Sequence, residues 1–181
     1  MRIVSGSLRG RLINPPKNFR ARPTTDFAKE SLFNIIGNHF DFEGLRVLDL
    51  FSGTGSISYE FISRGAALVD SVEKDFHHWL FIRNTANQLK LNGLNPIKGD
   101  AFSYIKSCSR QYDIIFADPP YDLKGIDTLP QIIFNYPVIG EEGWFILEHS
   151  SKYNFTDNQH FLEHRVYGSV NFSIFQKKNY S

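Results

Sequence analysis

Cysteine is nearly absent: Cys108 is the only one in 181 residues. An intrachain disulfide and a thiolate metal cluster are therefore excluded. No apolar run approaches the roughly 20 residues of a membrane-spanning helix, so no membrane association is expected. The opening residues, Met1-Arg2-Ile3-Val4-Ser5-Gly6, lack the apolar stretch of a secretory signal, which makes a cytoplasmic location the expectation. His160 and His164 lie four apart, but no third ligand stands out and no metal is expected. Acids are missing from the first 25 residues, which carry Arg2, Arg9, Arg11, Lys17, Arg20 and Arg22. The remainder holds 14 bases against 19 acids, so a net charge of +1 hides a basic arm on an acidic body. Such an asymmetry is the electrostatic footprint of a phosphate-backbone contact, although a solvated basic terminus would look the same.

The chain length suits one α/β domain with a small extension. Residues 2–13 read as a short hairpin turning near Gly6 to Gly10, closed by Pro15-Pro16. Thr24 or Thr25 then caps a helix reaching about Asn38, with Phe27, Leu32, Phe33, Ile35 and Ile36 on its apolar face. From Leu45 strands and helices alternate. The strands are Val47–Phe51, Leu68–Glu73, a short one near Asn95–Lys98, Tyr112–Ala117 and Gly143–Glu148. A helix to Arg64 follows the Ser52–Ser56 turn, and others lie at Asp75–Leu91, from Ala101, and around Thr128–Phe134. Two last β runs, His164–Tyr167 and Val170–Phe175, flank a Gly168-Ser169 turn. The expected fold is α/β: a mostly parallel Rossmann-like sheet with an antiparallel C-terminal strand and helices on both faces. It divides into an N-terminal hairpin and helix extension at 1–43 and a catalytic domain at 44–181.

Asp49-Leu50-Phe51-Ser52-Gly53-Thr54-Gly55 joins the first of these strands to its helix. Its glycines let backbone approach a ligand, and the helix N-terminus offers unpaired N–H groups. A lone Gly-x-Gly is a weak signal that also fits a tight turn. Glu73 ends the second strand, where a carboxylate can hold both ribose hydroxyls. Asp100 follows the third strand and can accept an adenine amino group, with Ala101 and Phe102 beside it. Together these describe a nucleoside cofactor site and read as one for S-adenosylmethionine. Asp49 suits anchoring of the Gly-rich loop better than direct contact.

The fourth strand delivers Asp118-Pro119-Pro120-Tyr121 to a carboxyl end, the edge where ligands bind in open α/β sheets. Two prolines fix φ and remove two donors, leaving carbonyls free to accept. Asp118 and a proline carbonyl can hold the two hydrogens of an exocyclic amino group, while Tyr121 stacks on the base. Asp118 also borders the cofactor side. The pattern predicts methylation of a nucleobase amino nitrogen.

The chain resembles the class I, Rossmann-like methyltransferases. More narrowly, nearly all of it resembles the RsmD family of small-subunit ribosomal RNA guanine-N2 methyltransferases. The segments carrying this are Arg2–Gly6 with Leu8-Arg9-Gly10-Arg11, then Arg22-Pro23-Thr24-Thr25-Asp26, Lys29–Asn34, Asp49–Gly55, Asp118–Tyr121 and Glu148-His149. The N-terminal segments discriminate, since Asp-Pro-Pro-Tyr is shared with DNA amino-methyltransferases. The resemblance implies methyl transfer to N2 of one guanine in 16S rRNA, within an assembled or assembling small subunit. The basic N-terminal arm is expected to contact RNA through Arg2, Arg9, Arg11, Arg20, Arg22 and Thr24. The loop after Tyr121 is short, so no base-docking contact carries over to it, and oligomeric state stays open. The rivals are a DNA or other RNA amino-methyltransferase and a catalytically silent, RNA-binding ribosome assembly factor. The first would need a target-recognition region; the second need not keep this whole residue set.

Overall fold

The computed structural model describes residues 1–17, 19 and 25–177. Its elements are α1 (Asp26–Gly37), β1 (Arg46–Leu50), α2 (Ser56–Arg64), β2 (Leu68–Glu73), α3 (Phe76–Gln88), β3 (Leu94–Lys98), α4 (Ala101–Ser107), β4 (Tyr112–Ala117), α5 (Leu129–Asn135), β5 (Ile139–His149), β6 (Phe161–Tyr167) and β7 (Val170–Gln176). They form one sheet of order β3-β2-β1-β4-β5-β7-β6. Strands β1 to β5 are parallel, and β7 runs antiparallel between β5 and β6. β1 sits between β2 and β4, so the strand order reverses beside it, which is where such sheets bind ligands.

Period-2 alternation sorts the strand residues onto two cores. Val47, Val69, Ile114, Phe116 and Ile146 face one core with α1, α2 and α3. Leu48, Leu50, Val72, Ile115, Ala117 and Leu147 face the other with α4 and α5. Several elements differ from expectation, among them α3, which ends at Gln88 rather than Leu91. β1 stops at Leu50 because Phe51 enters the left-handed region, with φ +58°. β5 starts four residues early, at Ile139, and a register shift against β4 absorbs the exposed Glu141-Glu142. β6 also starts early, at Phe161. No helix among the described residues is long and apolar enough to cross a membrane.

The N-terminal segment folds back on itself. Ile3 N–H donates to the Arg11 carbonyl (3.0 Å), Gly10 N–H to that of Ile3 (2.8 Å) and Ile13 N–H to that of Met1 (2.9 Å). Ile3 and Ile13 are buried in the first core, each contributing roughly 1.5–3 kcal/mol. Thr25 caps α1, its hydroxyl accepting from Ala28 N–H at 3.2 Å, and Ala28, Leu32, Phe33 and Ile36 bury the stripe expected of an amphipathic helix. Gly6 has φ +82° and lies so close to α2 that a Cβ would fall 1.8 Å from the Ser63 carbonyl oxygen. No other residue fits there.

A buried polar cluster locks this segment down. Glu60 of α2 accepts from Val4 N–H (2.9 Å) and Ser5 N–H (3.0 Å). It pairs with Arg64 (2.9 Å) and with Lys29 of α1 (3.6 Å). Lys29 also donates to the Arg2 carbonyl (2.6 Å) and to Ser56 Oγ (3.4 Å). Burial depresses the Lys29 pKa, and the Glu60 charge opposes that shift. Breaking such a pair strands a buried charge. Glu60→Ala is therefore expected to lower the unfolding free energy by about 3–5 kcal/mol. Urea unfolding checks this, and a loss under about 1 kcal/mol would place the cluster's worth at that of a surface pair.

Candidate active site

Because β1 to β4 are parallel, the loops after them gather at one edge. They surround a cavity of about 570 Å³, within the range of small-ligand sites. Asp49, Phe51, Ser52, Gly53 and Thr54 line it, as do Glu73, Asp100, Ala101, Phe102, Asp118, Pro119, Pro120 and Tyr121. Gly55 is not in the lining. It is the N-cap of α2 with φ +82°, and a Cβ would lie 2.9 Å from the Tyr59 ring.

The Gly-rich loop is braced from within and from β2. Gly55 N–H donates to the Ser52 carbonyl (2.7 Å), and Ser52 Oγ donates to the Asp49 carbonyl (2.7 Å). Glu73 accepts from Gly53 N–H through one oxygen and Asp75 N–H through the other, both at 2.7 Å. A carboxylate has about four acceptor positions, so Glu73 keeps capacity for hydroxyl donors from the cavity. Asp100 caps α4, accepting from Ser103 N–H at 3.1 Å, and pairs with Lys74 at 3.3 Å. The Ser103 hydrogen bond is the largest cause holding its pKa down, with Lys74 adding to it. Phe51 and Phe102 meet edge to face at 6.2 Å, forming an apolar wall. Hydroxyl-accepting acids beside flat apolar rings fit the ribose and adenine of S-adenosylmethionine.

At the fourth strand end, Asp118 N–H donates to the Leu50 carbonyl at 3.4 Å, tying the corner to β1. Pro119 is buried and Tyr121 is 41% exposed. One expectation needs correction: the proline carbonyls are not both free. That of Pro120 accepts from Leu123 N–H at 2.9 Å, which closes the short turn. The Pro119 carbonyl is then the acceptor left beside Asp118.

Sequence reasoning missed several lining residues. His78 lines the cavity while His77 is exposed. Asp75 caps α3, accepting from the His77 and His78 N–H groups, and the His78 ring packs on Phe19 at 4.4 Å. Leu123 lines it from the loop set aside as uninformative, and Phe116 and Glu148 line it from β4 and β5. Phe116 sits two residues before Asp118, a signal that period 2 could have supplied. Arg2, Arg9 and Arg11 are exposed on the N-terminal hairpin, and Met1 Sδ approaches Thr54 Oγ1 at 3.8 Å, so that hairpin borders the Gly-rich loop. Arg20, Arg22 and Thr24 lie outside the described residues. Among the described residues, no three His, Cys, Asp or Glu side chains are grouped to hold a metal ion.

Asp49 is buried, with Ser58 Oγ donating to it at 2.5 Å. Burial pushes its pKa from 3.8 up to about 7; the Ser58 bond opposes this and the Glu73 charge adds to it. The folded state thus holds this proton more tightly than the unfolded chain. The resulting stability is complete below pH 3.8 and is lost as pH rises towards about 7. Asp49→Asn removes this titration. Between pH 5 and 8 the wild type should lose more stability than the variant, by on the order of a few kcal/mol. Urea unfolding at both pH values checks this; parallel losses would show that Asp49 titrates normally.

A family model described as conserved hypothetical protein 95 matches residues 1–176. YlbH of Bacillus subtilis is 31% identical over 185 residues, covering 98% of this chain and 100% of YlbH. Ribosomal RNA small subunit methyltransferase D of Escherichia coli K12 is 33% identical over 122 residues, 67% of this chain and 60% of that protein. The solved structure of yhhF from Escherichia coli has a TM-score of 0.85 at 25% identity, covering 98% of each chain. The family match runs through the N-terminal hairpin, the Gly-rich turn and the Asp118–Tyr121 corner alike. This chain therefore belongs to the RsmD family of class I methyltransferases, with S-adenosylmethionine as methyl donor.

Proposed function

We propose that the protein methylates the exocyclic N2 of one guanine in 16S rRNA, acting on an assembled or assembling small subunit. The observation that carries this is the Asp118–Pro119 pair of acceptors at the cavity wall, with the half-exposed Tyr121 ring beside them. The names of two relatives, ribosomal RNA small subunit methyltransferase D of Escherichia coli and of a Buchnera aphidicola strain, support ribosomal RNA as the substrate class. The basic hairpin supports a nucleic-acid partner.

The guanine N2 lone pair is delocalised into the ring, so the nitrogen is a weak nucleophile. Asp118 and the Pro119 carbonyl each accept one of its hydrogens and hold the lone pair towards the methyl group. Tyr121 stacks on the base face, as side chains do on bases drawn out of a helix. Bound S-adenosylmethionine supplies an electrophilic sulfonium methyl. With S-adenosylmethionine bound, Asp118 would take the proton that N2 gives up during or after methyl transfer. Positioning, with exclusion of water from the closed site, supplies much of the catalysis.

Asp118→Ala should abolish methylation while largely sparing cofactor affinity. Isothermal titration with S-adenosylmethionine and transfer of labelled methyl to unmodified small subunits read the two properties separately. Retained transfer would refute the orienting role. Label should appear as N2-methylguanosine on digestion of the subunit RNA; label on duplex DNA instead would move the substrate class. Neutralising Arg9 and Arg11 together should weaken RNA binding and reduce the slope of log K against log salt by about 1 to 2. An unchanged slope would remove those arginines from the phosphate contact.

A further inference from the structure

Phe27 is 67% exposed although it belongs to a helix whose other large apolar residues mostly pack inward. It does not stand alone. Its ring meets Tyr167 at 6.0 Å and 82°, an edge-to-face pair. Tyr167 rests on Phe172 at 6.2 Å, and Phe172 on Phe116 at 6.3 Å. Phe172 and Phe116 are fully buried, and Phe116 lines the cavity. A continuous run of rings thus leads from the active-site wall to an aromatic surface.

Strand register puts that surface on the catalytic edge. Glu148, which lines the cavity, pairs with Phe172, and His149 at the end of β5 pairs with Asn171. Val170 and its partner Tyr167 come next, just beyond the carboxyl end of β5. Phe27 lies in the first turn of α1, next to Asp26, which pairs with Arg2 of the basic hairpin at 3.2 Å. An exposed ring, a cationic hairpin and the catalytic corner therefore share one rim.

We propose that Phe27, braced by Tyr167, is a stacking platform for an unpaired RNA base flanking the target nucleotide. The inference rests on RNA being the substrate and adds a site that helps select it. Single-stranded RNA is recognised by stacking its bases on exposed rings, with arginines tracking the phosphates. Extruding one base for methylation unstacks its neighbours, and a ring at the rim gives one of them a new partner. A protein partner would also bury an apolar ring, but the arginines of the adjoining hairpin favour a polyanion.

The test uses the full-length protein, S-adenosylmethionine and small subunits lacking the modification. Phe27→Ala should raise KM for subunits about tenfold, in keeping with the loss of one base stack, with cofactor affinity within about twofold of wild type. Phe27→Trp should restore KM, because a larger ring still stacks; a role in fold stability alone would not show that rescue. A photo-crosslinking phenylalanine analogue at position 27 should join to 16S rRNA. Unaltered KM in Phe27→Ala, with wild-type methylation of subunit RNA intact, would overturn the platform and leave the proposed function standing. A crosslink to ribosomal protein alone would also overturn it. Failure of the wild type to methylate any RNA would remove both readings.

Discussion

The buried carboxylate of Glu60 is the contact on which the arrangement of this molecule depends. It belongs to α2, the helix that follows the Gly-rich loop, yet two of its partners are backbone N–H groups of Val4 and Ser5. A third is Lys29 of α1, which in turn reaches the Arg2 carbonyl and Ser56 at the start of α2. Charges this deep are tolerated only when paired and hydrogen-bonded. The cluster therefore permits one seating of the hairpin on the body. Arg2, Arg9 and Arg11 are consequently carried on a rigid mount at the rim of the cavity rather than on a loose arm.

The second constraint is strand direction. Parallel strands send their carboxyl ends to one edge, so Asp49, Glu73, Asp100 and Asp118 converge on one cavity. Full burial, more than the neighbouring Glu73 charge, raises the Asp49 pKa to about 7. A cavity rich in carboxylates suits a cofactor carrying a sulfonium and an ammonium. At the same edge Phe51 sits in left-handed backbone, a strained choice for a large side chain and one that turns the loop towards the ligand.

Polar chemistry elsewhere serves stability. Asp70, near the opposite edge, is fully buried and accepts from Tyr112 (2.6 Å) and Asn95 (2.9 Å), with Arg110 as its cation. Tyr112 and Tyr104 share a hydrogen bond of 2.7 Å, and burial raises both phenol pKa values. This network fastens β2, β3 and β4 away from the cavity lining. The two ends of the sheet thus divide the work, with a structural network at one and the cavity-lining carboxylates at the other.

Much of this was legible in the chain, because the signals are local. Strand periodicity announces β1 to β4, glycines announce the turn, and acids at or near the carboxyl end of each run announce the cavity wall, since in a parallel sheet those ends share one edge. The Asp118–Tyr121 string carries its chemistry in four adjacent residues. Other features depend on residues far apart in sequence meeting in space. The His78 ring packs against Phe19 at 4.4 Å, a partner from a distant part of the chain. The partnership of Glu60 with Val4 and Ser5 spans more than 50 residues. Phe27 read as one more apolar position on α1, because helical period predicts which residues share a face but not whether a neighbour covers them. The sequence alone determined fold class and the chemistry of the strand ends, through periodicity and turn residues. Tertiary packing decided which acceptors stay available and which rings stay exposed, because both depend on what distant segments leave uncovered.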